Sequence, residues 1–355
     1  MTLISLSPSE ILRNCDEGVP VNIQRVGVIG AGAWGTALAL TARRAGRDVV
    51  LWALEAEVVE AITRTHRNHI FLPDVALDPG IVATGDLKKA AQADVLLLVP
   101  PAQHLRATCH ALKPYLPGGV PLVICAKGIE KGTCALMTAI VEETLPHHST
   151  LVLSGPTFAK DVALGLPTAV TLATTEPELG RSIAEALKTK TFRPYVSGDL
   201  MGVEVGGAAK NVLAIGCGIA DGKGLGANAR AALLTRGLAE IVRLTVACGG
   251  RAETLMGLAG LGDLVLTATS MQSRNYSLGV ALGQGQSLDQ ILGARRAVTE
   301  GVYTAEAVVK LAMQKGVEMP IFAAMDRILN GNAGIDAELH GLLNRPLRDE
   351  LDAAH

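Results

Sequence analysis

A short apolar strand, Arg25-Val-Gly-Val-Ile-Gly30, runs into Gly30-Ala-Gly32-Ala33-Trp34-Gly35, and a helix is predicted to follow from Thr36 to Ala45. In the order strand, Gly-x-Gly-x-x-Gly, helix, each glycine has a task. The first makes the turn, the second lets the backbone approach a pyrophosphate, and the third allows close packing of helix on strand. The helix start then faces that anion with unsatisfied N–H groups and the positive end of its dipole. A glycine turn without a ligand has the same spelling, so the weight rests on the strand and helix around it.

The second strand, Asp48-Val-Val-Leu-Trp52, ends at Ala53-Leu54-Glu55. Glu55 stands twenty residues past Gly35, about where an acid binds the adenosine ribose. No Arg or Lys follows at once to hold a 2′-phosphate, which leans toward NAD over NADP; Glu55 as a solvated first-turn residue is the alternative. A helix is expected from Glu57 to Thr65, then a loop over Asn68–Asp74, with His66 and His69 as surface residues. Ala93–Val99 reads as a buried strand stopped by Pro100 and Pro101. Pro121–Cys125 is another, leading into Ala126-Lys127-Gly128, where Lys127 is either a crevice lysine or an ordinary loop lysine. A helix from Thr133 to Thr144 precedes the strand Thr150–Ser154 and then Gly155-Pro156-Thr157. Thr157 is either a hydroxyl donor to a ligand or a helix N-cap. A strand at Pro167–Ala173, a helix to about Lys188 and a strand at Phe192–Val196 complete a repeated β-α pattern. Such repetition predicts a mostly parallel sheet.

Beyond Leu200, Gly/Ala-rich helical segments take over, so a boundary is placed near 198–203 with no low-complexity linker. The expected parts are an extension (1–24), a dinucleotide-binding domain (25–200), a helical substrate domain (201–345) and a tail (346–355). Glu204-Val-Gly-Gly-Ala-Ala-Lys210-Asn211 reads as a helix that sets Lys210 among small and apolar residues. A buried ammonium has a lowered pKa and is suited to proton transfer near neutrality; a lysine snorkelling to water is the alternative. Asp263, after Gly260-Leu-Gly262, is either an N-cap or a buried partner for a ligand hydroxyl or for Lys210. Ser273-Arg274-Asn275 is an anion-binding candidate at a helix start, or an N-capping Ser followed by solvated residues. No His-Glu-x-x-His, Gly-x-Ser-x-Gly or metal-like carboxylate cluster occurs, which argues against a hydrolase or metalloenzyme.

Composition closes off other classes. Lys plus Arg (32) nearly balance Asp plus Glu (34), so no long-range field points to nucleic acid or a membrane surface. Six scattered cysteines without a Cys-x-x-Cys pair read as reduced thiols of a cytoplasmic protein. No apolar run approaches the eighteen or so residues that span a bilayer. The first two dozen residues carry Glu10, Asp16 and Glu17 and do not read as a secretory signal; one or two helical turns are expected near Ser9.

Taken together, the motifs resemble bacterial-type NAD(P)-dependent glycerol-3-phosphate dehydrogenase from about Val26 to about Arg345. The resemblance rests on Gly-Ala-Gly-Ala-Trp-Gly-Thr-Ala (30–37), Phe-Leu-Pro (71–73), Ala-Lys-Gly-Ile-Glu (126–130) and Ser-Gly-Pro-Thr-Phe-Ala (154–159). Glu-Val-Gly-Gly-Ala-Ala-Lys-Asn-Val (204–212), Gly-Ala-Asn-Ala-Arg-Ala-Ala-Leu-Leu-Thr-Arg-Gly (226–237) and Gly-Leu-Gly-Asp-Leu (260–264) extend it. Ser-Arg-Asn (273–275), Glu-Gly (300–301) and Gly-Val-Glu-Met-Pro (316–320) complete the ordered set.

The resemblance implies an α/β fold: a Rossmann-like, mostly parallel sheet domain followed by an all-helical domain like the C-terminal one of 6-phosphogluconate dehydrogenase. It implies interconversion of dihydroxyacetone phosphate and sn-glycerol 3-phosphate by hydride transfer with NAD or NADP, supplying phospholipid synthesis. By the same resemblance Lys210 is the proton-transfer residue, and Lys127 contacts substrate and cofactor. Gly155, Thr157, Asp263, Ser273, Arg274 and Asn275 are substrate contacts. Gly30, Gly32, Ala33, Trp34, Gly35, Ala159, Arg274, Val298 and Glu300 are cofactor contacts. One departure concerns Leu54, where bacterial relatives often carry His or Arg for the NADP phosphate. A homodimer is a candidate assembly for the Ala/Leu/Gly-rich helical domain. A ketopantoate reductase or hydroxyacid dehydrogenase with the same layout, and a non-catalytic nucleotide sensor, are the rival readings.

Overall fold

The computed structural model describes residues 23–294 and 298–346. Cys15, the helical turns expected near Ser9, most of the N-terminal extension and the tail past 346 lie outside the described residues.

Eight strands form one sheet in the order β10-β9-β8-β7-β6-β1-β2-β5. They are β1 Arg25–Ile29, β2 Asp48–Trp52, β5 Ile81–Thr84, β6 Val95–Leu98, β7 Leu122–Ile124, β8 Thr150–Ser154, β9 Thr168–Ala173 and β10 Phe192–Ser197. The pairing is parallel throughout except between β8 and β9. Strand β6 shows why: all four of its residues are buried, Val95 and Leu97 in one core, Leu96 and Leu98 in the other. A strand covered on both faces reads as a continuous apolar run. Each such side chain contributes roughly 1.5–3 kcal/mol on burial. From β1 the chain winds out to β2 and β5, then returns to β6 on the other flank of β1. The strand order therefore reverses beside β1, which opens a crevice at the carboxyl ends of β1 and β6.

Three sequence expectations need correction here. The helix after the glycine turn starts at Ala33, with Gly32 as its N-cap, rather than at Thr36. The loop expected over Asn68–Asp74 contains a small antiparallel pair, β3 Arg67–Asn68 with β4 Leu72–Ala76. Buried Asn68 anchors it, donating to Ala31 O (2.8 Å) and Thr36 Oγ1 (2.9 Å) and accepting from Phe71 N (3.1 Å). The helix expected from Thr133 begins at Met137, because Cys134 is left-handed (φ 60°) and Ile129 bridges Leu136.

Residues past Leu200 are helical among the described residues and are organised around the helix Leu200–Gly222, buried on all sides from Gly202 to Ala220. By length and mean hydropathy (1.3) this helix could cross a bilayer, although every residue of its most apolar window is buried inside the protein. The expectation that no apolar run reaches that length is corrected here: Glu204 and Lys210 interrupt the run in sequence, while its mean hydropathy stays high. Its closest neighbour is the helix Arg274–Gly283. A Cβ on Gly279 would sit 2.0 Å from Ile215 O, and one on Gly218 2.1 Å from Tyr276 O, so only glycine permits this approach. The helices Gly226–Ala247, Asp263–Ala268, Glu300–Gln314 and Pro320–Leu329 surround the same central helix.

Candidate active site

Lys210 lies in the middle of the central helix and is 6% exposed. Its Nζ donates to Asp263 Oδ1 (2.5 Å) and to Thr267 Oγ1 (2.8 Å). The snorkelling alternative is thereby excluded. Asp263, 1% exposed, follows a π-helical turn, Leu258–Gly262, and opens the helix Asp263–Ala268, which puts Thr267 one turn later on the same face. Asp263 is not the N-cap; that position belongs to Gly262.

Lys127 enters from the sheet side, just past β7. Its Nζ donates to Asp263 Oδ2 (2.7 Å) and to Gly155 O (3.1 Å). One carboxylate thus bridges two ammonium groups carried by the two halves of the molecule. Burial lowers the Lys210 pKa to about 7; Asp263 opposes that shift and the Lys127 charge adds to it. An amine balanced near neutrality can both give and take a proton. Thr157 donates to Gly155 O (3.2 Å) and does not cap the following helix, whose N-cap is Phe158.

The Ser273-Arg274-Asn275 trio divides its tasks. Ser273 is an N-cap that accepts from Tyr276 N. Asn275 donates to Asn211 Oδ1 (2.9 Å) and accepts from Gly301 N (3.0 Å), tying three helices together. Arg274 keeps much of its surface open, while crowding around the guanidinium lowers its pKa against the opposing charge of Glu300. Glu300 accepts from Ala102 N (3.1 Å) with one oxygen; the other is buried without a partner, and burial raises its pKa.

The glycine turn fits a dinucleotide. A Cβ on Gly35 would meet Gly30 O at 1.8 Å, whereas one on Gly32 would meet nothing within 4 Å. Gly32 caps the helix Ala33–Arg44 with no side-chain acceptor, so the first N–H groups stay available to an anion. Trp34 Nε1 is a buried donor without a partner. Ala159 starts a short helix and packs with Trp34 on the same core; Val298 is half-buried in an irregular segment. Leu54 (78% exposed) and Glu55 stand in solvent at the end of β2.

Sequence reasoning did not single out Thr267. Its place four residues after Asp263 was the available signal, since i and i+4 share a helix face. It also missed Glu204, which is 5% exposed and bonded to Thr138.

The model of the NAD-dependent glycerol-3-phosphate dehydrogenase N-terminus matches residues 25–180, and that of the C-terminus matches residues 199–340. A glycerol-3-phosphate dehydrogenase [NAD(P)+] of Rhodospirillum rubrum is 59% identical over 329 residues, which is 92% of this chain and 94% of the relative. One from Caulobacter vibrioides is 56% identical over 330 residues, 93% of this chain and 100% of that one. The crystal structure of glycerol-3-phosphate dehydrogenase from Coxiella burnetii superposes with a TM-score of 0.88 at 39% identity, covering 91% of this chain and 99% of that one.

Proposed function

We infer the roles of individual residues from one premise: this chain belongs to the NAD-dependent glycerol-3-phosphate dehydrogenase family. The protein is an NAD(P)-dependent oxidoreductase that interconverts dihydroxyacetone phosphate and sn-glycerol 3-phosphate. We assign residues 25–200 to the dinucleotide and 201–345 to substrate and catalysis. The observation that carries the residue assignment is Asp263 bridging Lys210 and Lys127 across the two halves.

Gly30, Gly32, Ala33, Trp34 and Gly35 hold the pyrophosphate side of the cofactor; Lys127, Ala159, Arg274, Val298 and Glu300 hold the remainder. When bound, the nicotinamide supplies the hydride in ketone reduction and takes it back in alcohol oxidation. Lys210 gives its Nζ proton to the oxygen of the reduced carbonyl, and in reverse accepts the hydroxyl proton. Asp263 and Thr267 orient that ammonium, and Lys127 draws charge toward the carbonyl oxygen. Arg274 and the helix start at Ser273 and Asn275 hold the substrate phosphate, with Gly155 and Thr157 lining the substrate from the sheet side. Leu54 and Glu55 favour NAD over NADP. Supply of glycerol 3-phosphate to phospholipid synthesis, a cytoplasmic location and a homodimer complete the reading.

The test is NADH absorbance decay with dihydroxyacetone phosphate, beside NADPH, for wild type and Lys210→Ala. Loss of a placed proton donor lowers kcat by ~10²–10⁴-fold, with NADH binding retained. Turnover in Lys210→Ala equal to wild type would remove the lysine from its role. Oxidation confined to an unphosphorylated keto acid would instead favour the ketopantoate-type reading.

A further inference from the structure

Glu204 lies on the central helix six residues before Lys210, ~9 Å along the axis at 1.5 Å per residue. Its carboxylate leaves its own half of the molecule and accepts from Thr138 N (2.8 Å) and Thr138 Oγ1 (2.7 Å). Thr138 is the second residue of the helix Met137–Thr144, whose N-cap Leu136 offers no side-chain acceptor. Glu204 therefore caps a helix of the sheet half from the helical half. Burial raises its carboxyl to about 7, so this residue is held against a desolvation penalty by that one contact region.

The segment it grips also carries Lys127. Between Lys127 and Thr138 the chain closes on itself: Ile129 bridges Leu136, Glu130 N donates to Ala135 O (2.9 Å) and Cys134 N to Glu130 O (3.0 Å). Ile129, Cys134 and Leu136 are buried in the core of the helical half, with Val205, Ala208 and Val212 of the central helix. Just beyond, a Cβ on Gly207 would stand 2.9 Å from Ser154 Oγ and 3.8 Å from the Lys127 stem, so the central helix lies flush against Lys127. The two lysines bridged by Asp263 are thus tied together a second time, through the closed segment and the Glu204–Thr138 clasp.

We propose that Glu204 is a positioning residue for the reaction: its clasp on Thr138 registers the central helix, and with it Lys210, against the segment that carries Lys127. The proposal rests on the assignment of Lys210 and Lys127 as the reacting pair. Misplacement of such a pair by about 1 Å lowers turnover ~10²-fold without a change in ligand contacts.

The experiment compares Glu204→Ala, Glu204→Gln, Thr138→Val and Lys210→Ala with wild type for kcat, KM, NADH Kd and folded fraction. Glu204→Ala is expected to lose ~10²-fold in kcat per folded molecule, with KM and Kd within about twofold, the signature of lost transition-state geometry. Glu204→Gln, which can accept from Thr138 N and donate to its hydroxyl, restores most of that rate. Thr138→Val, which keeps the backbone N–H, loses less than Glu204→Ala. Wild-type kcat in folded Glu204→Ala overturns the proposal, as does loss of kcat, KM and Kd together without rescue by Gln. Should Glu204→Ala not fold, Thr138→Val decides: unchanged kcat there overturns it equally. Lys210→Ala separates the two failures, since full activity in that variant would sink the assignment of the lysine rather than the clasp alone.

Discussion

Asp263 and Glu240 are carboxylates of the same helical half, 1% and 3% exposed, and they are stabilised by opposite means. Asp263 faces the ammonium groups of Lys210 and Lys127. Glu240 faces backbone: it accepts from Ile321 N (3.0 and 3.1 Å) and Phe322 N (3.3 Å) at the start of the helix Pro320–Leu329. A helix N-terminus offers fixed donors and partial charge, so it can hold an anion but has no proton to release to it. An ammonium group holds a carboxylate equally well and carries a proton it can release. Burial moves Glu240 up to about 7 and Lys210 down to about 7. Similar burial therefore leaves a carboxylate held by fixed donors in one place and an ammonium balanced near neutrality in the other, according to the partner.

The sharpest way to break that contrast is Asp263→Asn. The charge goes while an acceptor remains, so the charge attraction that opposes the lowering of the Lys210 pKa by burial and by Lys127 is lost. The limb of the reduction pH–rate profile that falls as Lys210 deprotonates should move below 7. Above the limb, each unit of that shift removes ~tenfold of the protonated fraction. A limb that stays near 7 with an unchanged rate would make Asp263 a structural cap like Glu240.

Next in size is Glu240→Ala, which leaves the N–H groups of Ile321 and Phe322 without their acceptor. Orphaned buried donors cost about 1–3 kcal/mol, readable as a shift of the urea midpoint. Turnover per folded molecule should be unchanged, and a fall in kcat would place Glu240 in the catalytic machinery after all.

A comparable effect is read as a slope. Glu240 has a folded-state pKa of about 7 against an ordinary 4.5. Between those values the folded state binds more protons than the unfolded, so this group makes stability fall as pH rises through the window, with the loss complete above 7. Lys210, lowered from 10.5 to about 7, has the reverse sign: the unfolded chain binds more protons across that range, and stability rises with pH there. Glu240→Gln should therefore gain Tm relative to wild type as pH goes from 5 to 8, measured by thermal unfolding. A constant difference would show that Glu240 stays ionised throughout.

How far the sequence carried can be followed residue by residue. The glycine turn and the run Val95–Leu98 were legible because their signals are local: φ freedom, small size and unbroken apolarity act within a few residues. Burial of Lys210 was one of two open readings of its Gly and Ala neighbours, beside a lysine snorkelling to water. Its partner was one of two open readings for Asp263, fifty-three positions away, and the link from Lys127 to Asp263 spans 136. The buried role of Asn68 escaped because it depends on contacts with distant chain, Ala31 and Thr36, and the late start of the Met137–Thr144 helix escaped because no residue type marks the left-handed Cys134 or the Ile129–Leu136 bridge that delay it.

By itself, then, the chain's residue order determined the β-α repetition, the nucleotide-binding turn and the family motifs, all set by short-range sterics and periodic burial. Only the tertiary structure decided that Asp263 serves two lysines, that Glu204 caps a helix of the other half, and that Lys210 is desolvated enough to sit near neutrality. Those outcomes depend on distances between segments far apart in the chain and on the removal of water between them, and neither quantity exists until the two halves are packed.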